Sequence, residues 1–177
     1  MGGTPTITAG GVPSGKRREK FASTRLLHEW AQLQPWEFPP IYELRLGPTP
    51  LWAQQGILTP QVESMLRNFN RYADLVGVKA GTIEVVEAKM FPDPGAISQV
   101  ELYVDLVHAT PVLQQYPGRV IQPVILVALS DAVMAQKAAA RGIKWVVYTP
   151  TWASEYVERR YTNKQLRGLP TTPKADA

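Results

Sequence analysis

The run VIQPVILVAL at residues 120–129 constrains the fold most, because nearly all of its side chains are apolar. A strand without polar alternation is expected where both faces of a sheet are covered. Pro123 interrupts the run, since proline has no N–H to donate to a sheet ladder. The run therefore predicts a β-strand buried on both faces.

Helical and strand patterns alternate along the rest of the chain. Apolar spacing predicts a first helix at 18–33, with an apolar side formed by Phe21, Leu26, Leu27, Trp30 and Leu33. Strands are predicted at 41–46, 71–78, 82–90 and 143–149, and further helices at 60–69, 95–109, 131–141 and 152–167. Ser130 is the expected N-cap of the 131–141 helix. This order predicts an α/β fold, a mixed central β-sheet flanked by helices.

The 177 residues suit one domain with basic ends. Net charge is +4 over residues 1–27, −2 over 28–150 and +2 over 151–177. We predict a flexible basic arm at 1–17, an α/β domain at 18–150, and a basic C-terminal helix and tail at 151–177. Basic ends can bind the phosphates of DNA, or they can simply keep the protein soluble. The residues that would contact nucleic acid are Lys16, Arg17, Arg18, Arg159, Arg160 and Lys164.

Several function classes have no support in the sequence. Without cysteine, the chain has neither disulfides nor thiolate metal sites. No apolar run approaches the roughly 20 residues that cross a bilayer, and the N-terminus lacks a secretory apolar region, so we expect a cytoplasmic protein without a membrane partner. The two histidines, His28 and His108, lie far apart and favour packing or surface roles over metal binding.

Charged residues interrupt the hairpin predicted at 71–90. Alternation along a strand places Glu87 and Lys89 on the face of Ile83 and Val85. A loop of two or four residues would set Asp74 directly opposite Glu87, with Cβ atoms about 4.5–5.5 Å apart. A three-residue loop would send Asp74 to the other face.

Two opposed carboxylates repel each other unless they share a proton or bind a cation. A hard ion such as Mg²⁺ (or Mn²⁺) suits one or two carboxylates with waters and a phosphate oxygen. Lys89 reaches the same space, where its ammonium can orient water or stabilise charge on a phosphate. The alternative is a Glu87–Lys89 ion pair at the solvent-exposed rim of the sheet.

The string from Asp74 through Glu87-Ala88-Lys89 resembles the PD-(D/E)XK nuclease superfamily. Gln99-Val100-Glu101-Leu102-Tyr103 is similar to the Q-x-x-x-Y element of its RecB-like members, where a helix presents Gln and Tyr to the DNA and the site. Ala73 stands where the family has proline. The resemblance implies a restriction-endonuclease-like core, with Asp74 and Glu87 binding Mg²⁺ or Mn²⁺ and with Lys89, Gln99 and Tyr103 completing the catalytic site. The family's further upstream acid would be Glu43 or Glu63.

Three functions remain open from the sequence. The first is a divalent-metal-dependent nuclease that hydrolyses DNA. The second is a nuclease-fold assembly subunit with little or no catalysis, similar to small proteins of phage and mobile-element gene sets, which would form homo-oligomers and be virion-associated. The third is a DNA-binding module without catalysis.

Overall fold

A computed structural model describes residues 15–48 and 71–168. The side chains of Lys16, Arg17 and Lys164 lie outside this description, although their backbones are helical. The helices are α1 (Gly15–Gln32), α2 (Pro94–Val107), α3 (Ala132–Ala139) and α4 (Thr151–Gly168), with a 3₁₀ turn at Pro111–Leu113. The strands are β1 (Ile41–Leu46), β2 (Arg71–Lys79), β3 (Thr82–Lys89), β4 (Val120–Val127) and β5 (Lys144–Val147).

The strands form one five-stranded sheet in the order β1-β2-β3-β4-β5. Neighbouring strands are antiparallel from β1 to β3 and parallel from β3 to β5. Parallel neighbours need a crossover, and α2 and α3 lie in the two crossovers. The predicted fold class, a mixed central sheet flanked by helices, is confirmed.

Helices cover both faces of the sheet. On one face Ile125 and Val127 pack with Val100 and Tyr103 of α2. On the other, Leu126 packs with residues of α1 such as Leu26. Successive residues of β4 therefore enter two different cores, which explains its continuous apolar run. Pro123 is accommodated because β5 pairs only with Val124–Val127, so β4 has a single strand neighbour at that position.

Two local predictions are wrong. Phe21 and Leu33 were expected on the apolar side of α1, but they are 60% and 66% exposed. The helix instead packs through its alanines, with Ala22 and Ala31 buried beside Leu26, Leu27 and Trp30. The N-cap of α3 is Asp131 and not Ser130, because the extended backbone at Asp131 lets its carboxylate accept from the Met134 N–H at 2.9 Å.

The helix predicted at 60–69, and with it Glu63, lies outside the described residues. Among helices in the described ranges, none combines the length and the apolar character needed to cross a bilayer.

Candidate active site

The β2–β3 turn has the length on which the predicted site depends. Lys79 pairs with Thr82, so the loop contains only Ala80 and Gly81. Gly81 has a φ of 75°, a left-handed conformation that glycine adopts without strain. The paired register extends to Leu75 opposite Val86, and continuing it by one residue would set Asp74 opposite Glu87.

The β2–β3 backbone pairing ends at Leu75, and the Asp74 side chain makes the next connection between the two strands. Its Oδ2 accepts a hydrogen bond from the Ala88 backbone N–H at 2.8 Å. This bond joins the end of β2 to β3 and fixes the position of the carboxylate.

Glu87 is a buried acid with a lysine on one oxygen and a tyrosine on the other. Only 2% of the residue is exposed. Its Oε1 lies 2.7 Å from Lys89 Nζ, and its Oε2 lies 3.1 Å from the Tyr103 hydroxyl. The alternative of an ion pair at the solvent-exposed rim is therefore wrong, because the acid of the pair is inside the protein.

Gln99 and Tyr103 occupy successive turns of α2 and meet as an i, i+4 pair. The Gln99 amide donates to the Tyr103 hydroxyl, which is itself buried and donates to the Tyr72 carbonyl at 2.6 Å. The same hydroxyl also donates to Glu87 Oε2, so its one proton is shared between the Tyr72 carbonyl and the carboxylate.

The cluster has more negative than positive charge, and its pKa values reflect this. Burial, together with the charge of Asp74 and against the opposing effect of Lys89, raises the pKa of Glu87 from 4.5 to about 7. Burial also raises the pKa of Asp74, against the Ala88 hydrogen bond and the charge of Lys89. For Lys89, burial lowers the pKa, but the attraction of Glu87 outweighs it and the pKa is raised. Burial and the neighbouring carboxylate raise the pKa of Tyr103.

The carboxylates and Lys89 open into one cleft of about 860 Å³ between α1 and the sheet. Its charged lining residues comprise five acids and two lysines, a balance that attracts cations. The lining residues are Glu19, Lys20, Ser23, Thr24, Leu27, His28, Tyr42, Glu43, Asp74, Glu87, Ala88, Lys89 and Asp93.

Asp74 and Glu87 are the residues that could hold a divalent ion. In the described parts of the chain, no group of three or more His, Cys, Asp or Glu side chains is arranged as a metal cage. Two carboxylates with waters nevertheless match what Mg²⁺ requires, since it keeps most of its hydration shell. Burial is the largest cause of the raised pKa of both acids, and for Glu87 the charge of Asp74 adds to it.

Glu43, one of the two upstream acids predicted, lines the same cleft. The β1–β2 register, with Tyr42 opposite Leu75 and Leu44 opposite Ala73, sets Glu43 beside Asp74. Glu43 has a φ of 47°, and its exposed carboxylate lies 3.5 Å from Lys20 Nζ of α1. Glu43, Asp74 and Glu87 thus form an acidic wall of the cleft, although Glu43 does not contact Glu87 in this arrangement.

The predicted nucleic-acid contacts are only partly described. Arg160 Nη1 lies 2.6 Å from Glu19 Oε2, and its guanidinium lies over the Phe91 ring, so this arginine joins α4 to α1. Arg159 lies on the exposed side of α4, 3.7 Å from Glu155. Arg18 is exposed on α1.

Sequence reasoning missed the wall that α1 and β1 add to the cleft. His28 of α1 stacks on Tyr42 of β1, with ring centroids 4.2 Å apart and planes 7° from parallel. We had favoured packing or surface roles for His28, and no motif links it to Tyr42. The residue next to Tyr42 in sequence, Glu43, was the one available signal that β1 reaches the site.

The described geometry brings Asp74, Glu87, Lys89, Gln99 and Tyr103 together. The Ala88 amide holds Asp74, and Tyr103 and Gln99 continue the hydrogen-bonded chain from Glu87. No protein-family model, no curated protein and no solved structure matches the chain.

Proposed function

We propose that the protein is a nuclease that hydrolyses DNA phosphodiester bonds with Mg²⁺ or Mn²⁺. The observation that carries the proposal is the convergence of Asp74, Glu87 and Lys89 in one cleft, with Glu87 buried and its pKa raised to about 7. Perturbed acids that face a cleft are typical of catalytic or metal sites. The motif resemblance supports the same reaction.

Each residue has a role that its contacts support. Asp74 and Glu87 would bind the metal, which polarises the phosphate and acidifies the attacking water when bound. Tyr103 and Gln99 hold the Glu87 carboxylate from behind. Lys89, released from Glu87 by a competing cation, would orient the water or stabilise charge on the phosphate. The water oxygen would form a new P–O bond and give up a proton to solvent, the ester P–O bond would break, and the leaving oxygen would take up a proton from solvent.

DNA as the substrate is supported by the charge distribution. The cleft itself is acidic, so a phosphate would enter it only with a metal ion. The segments at 1–27 and 151–177 carry the net positive charge, and exposed arginines such as Arg18 and Arg159 lie on α1 and α4. They would hold the backbone outside the cleft.

The test is cleavage of supercoiled, linear and single-stranded DNA with Mg²⁺, Mn²⁺ or a chelator. Asp74→Asn and Lys89→Met should lower the cleavage rate by roughly a hundredfold or more, as loss of a metal ligand or charge-stabilising group does. The matched control is Glu101→Gln, which removes an exposed carboxylate of α2 that lies outside the cleft. Circular dichroism and thermal unfolding establish that each variant is folded.

Two outcomes would overturn the nuclease proposal: no cleavage of any substrate by the wild type, or equal cleavage by Asp74→Asn, Lys89→Met and the control. A folded, inactive wild type would favour the other two functions. Sedimentation would then reveal an assembly subunit, and salt-dependent binding without cleavage would reveal a DNA-binding module.

A further inference from the structure

The cleft has an aromatic wall that the metal chemistry does not use. Among cleft-lining residues in the described ranges, His28 and Tyr42 supply the aromatic rings. The rings are stacked face to face, with centroids 4.2 Å apart and planes nearly parallel, so each supports the other. His28 is exposed, and Tyr42 is partly buried against the core under α1. Since one face of the imidazole contacts Tyr42, its other face is available to a third ring.

We propose that the His28–Tyr42 pair is a stacking platform for a nucleobase of unpaired DNA, whose neighbouring phosphate lies at Asp74 and Glu87. The inference rests on the proposed function for the identity of the ligand. It adds the substrate class, single-stranded or frayed DNA, and two residues that determine specificity.

The dimensions and chemistry of the cleft support this ligand. A cleft of about 860 Å³ has the size of a small-molecule site, and a nucleotide fits within it. The phosphate needs a cation, which the acidic wall would hold, and the base needs a flat apolar surface, which the rings offer. Phosphate binding and base stacking would use different elements, because the acids come from β2 and β3 and the rings from α1 and β1.

The platform also explains why the DNA would be unpaired. A base inside a duplex is covered by its neighbours above and below, so no protein ring can stack on it without extrusion. Tyr42 lines a second cavity of about 340 Å³ as well, together with Trp36 and Phe38. Further stacking surface therefore continues from the cleft, which suits successive bases of a single strand.

The experiment measures DNA binding separately from cleavage, with Ca²⁺, another hard oxygen-binding cation, in place of Mg²⁺ and over a time too short for cleavage, so that the acidic wall is neutralised while binding is measured. The probes are a fluorescent single-stranded oligonucleotide, the same strand with abasic sites, and the matching duplex. Wild type should bind the intact strand more tightly than either of the others. His28→Ala should weaken binding of the intact strand by roughly tenfold, since base–aromatic stacking contributes on that order. His28→Phe, which restores a flat ring, should recover most of the affinity.

The chain's other histidine offers the matched control. His108→Ala removes an exposed imidazole at the end of α2, outside the cleft, and should leave binding unchanged. The inference is overturned if His28→Ala binds as the wild type does, if the abasic strand binds as tightly as the intact one, or if both histidine variants lose affinity equally. Cleavage that does not depend on His28 would overturn the platform but leave the nuclease intact. His28-dependent binding without any metal-dependent cleavage would overturn the nuclease but leave the stacking platform intact.

Discussion

Replacing Glu87 by glutamine should change how the stability of the protein depends on pH. The wild-type carboxyl is buried against Tyr103 and faces Asp74, so its charged form is disfavoured in the folded state. Glutamine has nearly the same shape but does not ionise. The difference in unfolding free energy between wild type and variant therefore reports the ionisation of this carboxyl together with its coupling to Asp74 and Lys89.

The sign and size of the effect follow from the two pKa values. The pKa of Glu87 is 4.5 in the reference state and about 7 in the fold. Because the folded value is the higher one, the protonated carboxyl stabilises the fold, and that contribution is lost as the pH rises through about 7. A difference of about 2.5 in pKa corresponds to about 3 kcal/mol in total, of which about 2.5 kcal/mol falls between pH 5 and pH 8.

Urea unfolding with chelator, followed by tryptophan fluorescence at pH 5, 6, 7 and 8, measures this difference. Relative to the wild type, Glu87→Gln should gain about 2.5 kcal/mol over that range. Glu101→Gln, whose carboxylate is exposed, should run parallel to the wild type. The reasoning is refuted if the Glu87→Gln and wild-type curves stay parallel to within about 0.5 kcal/mol, the ordinary scatter of such comparisons.

Three further outcomes are expected. Mg²⁺ should raise the Tm more at pH 8 than at pH 5.5, because protons compete with the metal for Glu87; equal shifts in scanning fluorimetry would argue against this residue as a ligand. Tyr103→Phe should lower the unfolding free energy by about 1–3 kcal/mol in urea, since the Tyr72 carbonyl and the buried Glu87 carboxylate lose their donor; an unchanged value would contradict the assigned hydrogen bonds. Gly77→Ala should lower the unfolding free energy by about 1–3 kcal/mol, because the new methyl group would overlap the Trp36 ring. A Tm equal to that of the wild type would contradict this packing.

The hairpin was predictable because its geometry depends on local sequence. Alternation with period two defines the faces of β2 and β3, and Gly81 permits the tight turn. A one-residue change in the loop would have moved Asp74 to the other face of the sheet. The even number of loop residues therefore determines that Asp74 and Glu87 share a face. The i, i+4 contact of Gln99 with Tyr103 follows equally from helix geometry.

The rest of the cleft could not be predicted because it depends on how α1 packs. Bulky side chains suggested that Phe21 and Leu33 face the core, yet the helix lies on the sheet through Ala22 and Ala31. Small residues allow a closer approach of helix to sheet, and a sequence pattern does not reveal that choice. Once α1 is in that position, His28 reaches Tyr42 over the cleft.

The two buried glutamates of β3 differ in how their negative charge is compensated, and this difference supports the proposed role of Glu87. Glu84 is 4% exposed and forms ion pairs with two lysines. Lys144 Nζ donates a hydrogen bond to Oε1 at 3.0 Å. Lys79 Nζ lies 2.9 Å from Oε2, but this contact does not have hydrogen-bond geometry. That acid is compensated by the chain's own cations, as a structural buried charge must be.

Glu87, three residues further along β3, has more negative than positive charge around it. Lys89 is its one cationic partner within ion-pair distance in the described chain, and the Asp74 carboxylate adds a second negative charge to the same wall. A buried pair of acids with a single lysine costs stability, since it must either hold a proton or remain undercompensated. An apolar residue at position 87 would avoid that cost, as Val85 and Val86 do next to it. Our proposal assigns the compensation of this remaining negative charge to a cation from outside the chain, which would compete with a proton for Glu87.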